Sequence, residues 1–160
     1  MAITVVSGFE HREEIRELFT EYTKMLVETS PAFAEYLKLQ RYDDEVEHLE
    51  KKYGPPGGRL FLALADGTPA GCIALRPLDA ERCELKRLYV RDAYRRRGLG
   101  ERLVRLLLDE AGAIGYRQML LDTRPDLQTA QRLYLRLGFR TIPRYNDSPL
   151  DDTVYLGRDL

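Results

Sequence analysis

Apolar residues recur at steps of three and four along the first part of the chain, which is the spacing of one face of an amphipathic helix. The pattern occupies residues 10–28 and stops before Pro31, whose ring cannot continue a helix. A weaker pattern follows, up to the Gly/Pro cluster YGPPGG, and predicts one or two further short helices. The face of the first helix consists of Ile15, Leu18, Phe19, Tyr22, Met25 and Leu26.

Strands are predicted where short β-branched or continuous apolar runs lie between turn residues. The first run is ITVV, and three later ones are RLFLALAD, GTPAGCIALRPL and ERCELKRLYV. The sequence DGTP joins the first two of these three runs and predicts a hairpin turn between them. The last candidate strands are RQMLLDT, FRTIP and TVYLGRDL.

Two more helices are predicted among these strands. One begins near Leu99, repeats apolar residues with helical spacing, and ends at Gly115, a residue type that favours helix ends. The other follows Asp126, a candidate N-cap, and ends at Gly138. Helices that alternate with strands predict an α/β fold around a mixed sheet, and we expect residues 1–160 to form a single domain.

Composition and charge narrow the classes of function. The 160 residues include 25 basic and 26 acidic ones, giving a net charge of −1, whereas proteins that bind nucleic acid through its phosphates are usually basic. No apolar run approaches the length of a membrane span, and the first residues turn charged too early for a secretory signal. We therefore expect a cytoplasmic protein that binds neither nucleic acid nor membranes.

The two cysteines do not indicate a metal site or a disulfide framework. Cys72 and Cys83 lie in predicted strands, and the sequence has no CxxC motif and no cluster of His with Cys. Cys83 could act as a nucleophile, but His11 and His48 both lie in predicted helices, far from it in the sequence. We interpret both cysteines as small buried apolar residues and expect no metal.

The stretch YRRRGLG, residues 94–100, joins a predicted strand to a predicted helix. Gly98 and Gly100 allow unusual backbone angles and leave room beside the main chain. The first amides of a helix have no partner within it and, together with the helix dipole, attract oxyanions such as phosphate. The three arginines add positive charge. The residues alone leave three interpretations: a phosphate cradle, a nucleic-acid patch, or a solvated turn at a helix start.

Two sequence blocks, taken together, resemble a known family. LKRLYVRDAYRRRGLGERLVRLLLDEA is similar to the signature of the GNAT superfamily of N-acetyltransferases, whose Arg-x-x-Gly-x-Gly corresponds here to Arg95, Gly98 and Gly100. Downstream, AQRLYLRLGFR resembles the family's second block, Ala-x-x-Leu/Phe-Tyr-x-x-x-Gly-Phe. The resemblance covers residues 60–142 and implies the GNAT fold, a mixed, mostly antiparallel sheet with splayed central strands and flanking helices.

The resemblance implies acetyl-CoA, or another acyl-CoA, as the cofactor. In the family the pantetheine arm pairs with the main chain of the strand that here ends at Val90, and the pyrophosphate binds amides that correspond to residues 96–101. Many members contact the pantetheine through an Asn where this chain has Leu127, so that contact is absent or supplied by another residue, with Gln128 the candidate. The implied cofactor-binding residues are Leu88, Tyr89, Val90, Arg95, Arg96, Arg97, Gly98, Leu99, Gly100, Glu101, Gln128, Ala130 and Tyr134.

The resemblance also implies catalytic residues. The family's tyrosine, which protonates the leaving sulfur, corresponds to Tyr134, although its spacing alone would make it a core residue. Some members use a glutamate at the position of Glu84 as general base, because the amine arrives protonated. Lys86 lies on the same face of the strand and would weaken that base, so an exposed Glu–Lys pair is the alternative interpretation. Attack within a ternary complex needs neither a metal nor a covalent enzyme intermediate.

The acceptor is the part that the sequence determines least. Family members bind it with the first helices and the last strands, which makes Tyr36, Tyr145 and Asn146 candidate substrate-binding residues. The predicted function is acetyl transfer from acetyl-CoA to a primary amine of a small molecule or peptide. Two alternatives are a GNAT-like module that binds acyl-CoA without turnover, and a nucleic-acid binder that uses Arg91 and residues 95–97. The oligomeric state stays open, a homodimer included.

Overall fold

The computed structural model describes residues 1–160 and contains seven strands and six α-helices. The strands are β1 (Ile3–Ser7), β2 (Arg59–Ala65), β3 (Thr68–Pro77), β4 (Arg82–Val90), β5 (Gln118–Thr123), β6 (Arg140–Thr141) and β7 (Val154–Asp159). The helices are α1 (Arg12–Thr29), α2 (Phe33–Leu39), α3 (Tyr42–Glu47), α4 (Leu49–Tyr53), α5 (Leu99–Ile114) and α6 (Gln128–Arg136), and two short 3-10 turns lie at Gly8–Glu10 and Asp92–Tyr94.

All seven strands form one sheet in the order β1-β2-β3-β4-β5-β7-β6. Every neighbouring pair is antiparallel except β4 and β5, which are parallel. These two strands pair only where Arg82, Cys83 and Glu84 face β5, and they separate beyond that point. The sequence prediction of a mixed, mostly antiparallel sheet with splayed central strands is therefore confirmed.

The two faces of the sheet carry different helices and different parts of the core. Alternate residues of a strand point to opposite faces, so β2 and β3 contribute to both. On one face Leu62 and Cys72 pack with Ile15 of α1 and Tyr53 of α4. On the other face, Ile73 and Leu75 lie in the cluster that includes the apolar side of α5 and the first residue after α6, Leu137. The sheet thus lies between two helical layers, which is the predicted α/β architecture.

A smaller apolar cluster holds α2 against the end of α1. It contains Leu26 of α1 and Phe33, Tyr36 and Leu37 of α2, all at most 8% exposed. Because α2 folds back over α1 in this way, Tyr36 lies close to the point where β4 and β5 separate, and its hydroxyl contacts Asp122 of β5. This packing positions one wall of the site described below.

Strand β4 is irregular at its centre. Its pairing with β3 shifts register between Cys72 and Ala74, and Arg87 has a φ of 58°. A bulge of this kind redirects neighbouring side chains and increases strand twist. It therefore separates the first half of β4, which pairs with β5, from the second half, which borders the splay.

Several local predictions can now be compared with the structure. The hairpin turn is confirmed, since Asp66 and Gly67 both have positive φ between β2 and β3, and Gly115 ends α5 with a φ of 111°. The region after α1 forms three short helices, not one or two. The N-cap prediction for Asp126 was wrong: Leu127 occupies that position, and the Asp126 carboxylate instead accepts hydrogen bonds from Arg124.

Both cysteines are free and buried, as the sequence predicted. Burial raises the pKa of the Cys72 thiol to about 12, and burial does the same for the Cys83 thiol. Since the thiolate is the nucleophile, neither cysteine suits covalent catalysis. None of the helices combines the length and hydrophobicity that a membrane span requires.

Candidate active site

A cleft of about 670 Å³ opens where β4 and β5 separate. The end of β4 and the loop before α5 form one side, β5 and α6 form the other, and α1 and α2 cover it. Of the predicted cofactor residues all except Arg97 line this cleft, and so does Tyr36. Arg97 lies beside a smaller neighbouring cavity. The structure therefore places predicted residues from four separate elements around one cleft.

The loop before α5 presents a row of unpaired main-chain donors. Helix α5 begins at Leu99, directly after Gly98, whose φ is 75° and which offers no side-chain cap. No main-chain amide in residues 96–101 donates a hydrogen bond within the protein. Arg96 also has a positive φ, 63°, and successive amides in such a conformation form a concavity that suits an anion. This loop is a cradle for an oxyanion.

Gly100 lies at the start of α5, where it faces Leu133 of α6 and Val90 at the end of β4. A Cβ at this position would lie 3.4 Å from the Leu133 side chain and 4.0 Å from that of Val90. Any larger side chain would have to extend into the cleft beside the amide cradle. The absence of a side chain at Gly100 therefore keeps the approach to the main chain open.

Charged side chains surround the mouth of the cradle. Arg95 donates a hydrogen bond to the Val90 carbonyl at 2.8 Å and lies 2.5 Å from the Asp92 carboxylate. The Glu101 carboxylate contacts Arg136 and Arg105, whose hydrogen bonds lower its pKa. Arg96 and Arg97 form no ion pair and are exposed, so their charge is available to an anionic ligand.

Tyr134 faces the cleft from α6. Its side chain is 5% exposed and packs edge-on against Phe139, with ring centroids 5.6 Å apart. Its hydroxyl has no hydrogen-bond partner in the protein. It is not fully enclosed either, because the only fully enclosed polar side-chain atom without a partner is the Tyr53 hydroxyl. Burial raises the pKa of Tyr134 well above its usual range. The cleft therefore contains a protonated hydroxyl that is free to donate.

Glu84 is buried beside the cleft, at the last position where β4 pairs with β5. It is 2% exposed, accepts a hydrogen bond from the Tyr145 hydroxyl at 2.5 Å, and lies 3.2 Å from the Arg76 guanidinium. Burial, with the nearby Glu84 carboxylate, raises the pKa of Tyr145. The alternative of an exposed Glu84–Lys86 pair was wrong, because both residues are buried and the ion partner of Glu84 is Arg76.

A second polar network reaches the opposite wall through Tyr36 and Asp122, whereas Tyr145, Asn146 and Tyr155 lie behind the residues that line the cleft. The Asp122 carboxylate, at the splayed end of β5, accepts hydrogen bonds from the Tyr36 hydroxyl and, at 2.7 Å, from the Asn146 amide. The Tyr155 hydroxyl donates to the Asn146 carbonyl at 2.8 Å. Tyr36 and Asn146 were predicted, but Asp122 was missed. The sequence contained a signal for Asp122, because it is the first acidic residue after the apolar run of its strand.

A buried ion cluster fixes α3 to the bulge of β4. Arg87 contacts the Glu45 carboxylate at 2.8 Å and the Gln40 carbonyl at 2.7 Å, and Lys52 contacts Glu45 at 2.7 Å. Burial alone would raise the pKa of Glu45, but the adjacent Arg87 and Lys52 outweigh it and lower that pKa to about 2. The cluster holds α3 and α4, together with Gln40 at the end of α2, against the sheet.

Arg91, which the nucleic-acid alternative required, is engaged inside the protein. Its guanidinium lies 2.5 Å from both the Glu17 and the Glu21 carboxylates of α1. Hydrogen bonding to Glu21 and Glu17 outweighs the effect of burial and raises the pKa of Arg91. It therefore joins α1 to the end of β4 and is not a free surface cation.

The chain is similar to known proteins in sequence and in fold. The family model described as "Acetyltransferase (GNAT) family" matches residues 12–139. An uncharacterised N-acetyltransferase of Schizosaccharomyces pombe is 40% identical over 140 residues, which are 86% of each chain.

Solved structures share the fold at lower identity. A GNAT-family acetyltransferase of Staphylococcus aureus superposes with a TM-score of 0.75 at 24% identity, covering 99% of both chains. The PaiA N-acetyltransferase of Thermoplasma acidophilum, solved in complex with coenzyme A, superposes with a TM-score of 0.77 at 18% identity, covering 100% of both chains.

Proposed function

The chain belongs to the acetyltransferase (GNAT) family, and we propose that this acyltransferase moves an acetyl group from acetyl-CoA directly to a primary amine of a small molecule or peptide. One observation carries the proposal. A row of unpaired amides and a free tyrosine hydroxyl border one cleft, and the buried Glu84 carboxylate lies behind the residues that line it. We also propose a single domain over residues 1–160 and a cytoplasmic location; the oligomeric state stays open, a homodimer included.

In this proposal the cofactor binds through the main chain. Its pyrophosphate accepts hydrogen bonds from the amides of residues 96–101, and the charge of Arg96 and Arg97 attracts it. Its pantetheine arm lies along Leu88 and Val90, where β4 no longer pairs with β5. Gln128 and Ala130 of α6 border the other side of the arm. The coenzyme A complex of the T. acidophilum protein, which has the same fold, supports this assignment.

The amine must lose a proton before it attacks the thioester carbonyl, because only its neutral form has a free electron pair. We assign Glu84 as the base. It stands behind the residues that line the cleft, so the proton passes to it through water. Tyr145 and Arg76 hold the carboxylate in place. Bringing both substrates together makes the attack effectively unimolecular.

Tyr134 then supplies the proton that the leaving sulfur requires. As the new C–N bond is completed the C–S bond breaks, and its electron pair remains on sulfur. The raised pKa of Tyr134 keeps the hydroxyl protonated but makes it a weaker acid. The thiolate forms beside this hydroxyl, and its partial desolvation there raises its basicity as well, which favours the transfer. The nitrogen of the new amide gives up its remaining excess proton, which restores the Tyr134 hydroxyl, and coenzyme A and the acetylated amine are the products.

The test is release of free thiol from acetyl-CoA across a panel of primary amines. We expect amine-dependent release by the unaltered protein and a large loss in Tyr134→Phe with unchanged affinity for coenzyme A. Tyr116→Phe is the matched control: this buried tyrosine donates to the Gly57 carbonyl and does not line the cleft. Binding of coenzyme A without thiol release for any amine would instead favour the non-catalytic module.

A further inference from the structure

Lys86 is a buried cation without a partner. Lys86 is only 6% exposed, and its ammonium group forms neither a hydrogen bond nor an ion pair within the protein. Its Nζ atom is not fully enclosed. The Tyr53 hydroxyl is the one fully enclosed polar side-chain atom without a hydrogen-bond partner, so the unpartnered Nζ must retain some exposure. Lys86 lines the cleft, so this is the open space that its ammonium can reach.

The position of Lys86 places it on the acceptor side of that cleft. Across the β3–β4 pair it lies opposite Ala74, which belongs to the core beneath α1 and α4. Its side chain therefore extends towards the helical layer from which Tyr36 and Gln40 also line the cleft. Glu84 lies two residues earlier on the same face of the strand, roughly 7 Å away along it.

The carboxylates near Lys86 are already engaged. Glu45 contacts Arg87 and Lys52, and Glu84 contacts Arg76. Across the cleft, the Asp122 carboxylate accepts hydrogen bonds from Tyr36 and Asn146. Counted with Asp122, the acceptor side of the cleft and the residues packed behind it contain four cations, Lys52, Arg76, Lys86 and Arg87, against three carboxylates, Glu45, Glu84 and Asp122.

A buried charge without a partner is costly, and a ligand that brings the opposite charge removes that cost. The nearby arginines are engaged with carboxylates, so Lys86 offers a single point charge and not the arginine fork typical of many phosphate sites. A carboxylate, with its single charge, matches this environment. Its source must be a molecule that enters the acceptor side of the cleft.

We propose that the acceptor amine also carries a carboxylate, as a free amino acid does, and that this carboxylate pairs with the Lys86 ammonium. The pair orients the molecule so that its amine lies towards Glu84 and the thioester. This inference rests on the proposed acetyl transfer. It makes Lys86 a specificity-determining residue that acts on binding of the acceptor, with no part in the proton transfers.

The experiment compares free L-amino acids with their amides, and with the amines that lack the carboxylate, in the thiol-release assay. For the unaltered protein we expect at least one amino acid to exceed its own amide by about tenfold or more in kcat/KM. In Lys86→Met that ratio should fall to near one, through a higher KM for the acid, while kcat changes little. Lys86→Arg keeps the charge and should keep most of the preference.

Lys38→Met is the matched control, because it removes an exposed lysine of α2, whose side chain is 74% exposed and pairs with Glu35. We expect it to leave the acid-to-amide ratio unchanged, and thermal unfolding will show whether each variant folds. Thiol release with amides as fast as with acids in the unaltered protein would overturn the inference while leaving acetyl transfer intact. A preference for acids that survives in folded Lys86→Met would also overturn it. If none of the amines supports thiol release, the proposed function and this inference are overturned together.

Discussion

The two halves of the cleft are built in different ways. The cofactor half comprises the end of β4, from Leu88 to Val90, and residues 94–100 with the start of α5. It presents main-chain amides, with Gly98 at a positive φ and Gly100 without a side chain beside Leu133 and Val90. The acceptor half comprises Tyr36, Glu84, Asp122, Tyr145 and Asn146. There every contact is made by side chains that are distant in sequence.

This difference separates what is general from what is specific. In the proposed function, a cradle of main-chain amides binds a diphosphate, which every acyl-CoA carries. A network of side chains fixes one arrangement of donors and acceptors, and a single replacement alters it. We therefore expect changes in the acceptor half to affect the amine while leaving coenzyme A affinity intact, and changes in the cofactor half to do the reverse.

The largest effect is expected from Glu45→Gln, which leaves Arg87 and Lys52 without their carboxylate. Glu45 is fully buried, and its pKa is lowered from 4.5 to about 2, so we expect a loss of about 3 kcal/mol in the free energy of unfolding. A carboxylate with a lowered pKa stabilises the fold above pH 4.5, and that contribution disappears as the pH falls towards 2.

Urea unfolding at pH 7, and then at decreasing pH, measures this effect. Glu35→Gln removes a carboxylate from an exposed pair with Lys38 and should cost well under about 1 kcal/mol. If the two variants lose equal stability at pH 7, or if the Glu45→Gln deficit persists at pH 2, the cluster does not fix the acceptor half to β4.

Tyr134→Phe comes next, because Tyr134 stands where the two halves meet. Loss of the proton donor should lower kcat by about 100-fold, while the dissociation constant of coenzyme A stays within about twofold. Thiol release and calorimetry on the same preparation give both quantities. An unchanged kcat would remove Tyr134 from the mechanism.

Gly100→Val is designed to break the cofactor half alone. The added methyl groups must enter the narrow space between Leu133 and Val90 or extend into the cleft. We expect coenzyme A to bind about tenfold more weakly or worse, at a cost of about 1–3 kcal/mol. At saturating cofactor the KM for the amine should change little. A variant that binds coenzyme A normally would show that the approach to these amides is not restricted at Gly100.

The smallest expected effect is that of Tyr145→Phe in the acceptor half. It removes the hydrogen bond that Glu84 accepts at 2.5 Å but leaves the contact with Arg76. A fall of roughly fivefold in kcat/KM for the amine is expected, since one of two restraints on the carboxylate remains. The affinity for coenzyme A should not change. Weaker cofactor binding in this variant would contradict the division of the cleft into two halves.

The same division explains how much the sequence could predict. The strand, the glycines and the start of α5 follow one another in the chain, so a phosphate cradle at Gly98 was one of three interpretations that the local pattern allowed. The mostly antiparallel sheet and its splayed central strands followed from the resemblance of two sequence blocks. The same resemblance assigned Tyr134 to the site, whereas its helical spacing alone predicted a core residue.

The contacts of the acceptor half could not be predicted from local sequence patterns. Asp122 meets Tyr36 and Asn146 only after α2 has folded over α1 and the C-terminal strands have joined the sheet. Glu84 was assigned the wrong neighbour, because an ideal strand places Lys86 beside it, whereas the nearest cation comes from Arg76 on β3. The prediction for Asp126 failed because Arg124 binds that carboxylate.

The most direct test of the central claim is a calorimetric titration with coenzyme A, repeated with pantetheine, which lacks the diphosphate. If the amides of residues 96–101 hold that diphosphate, coenzyme A should bind one to one and raise the unfolding temperature, whereas pantetheine should bind far more weakly. Absence of heat and of thermal stabilisation with saturating coenzyme A, or equal affinity for pantetheine, would contradict the account.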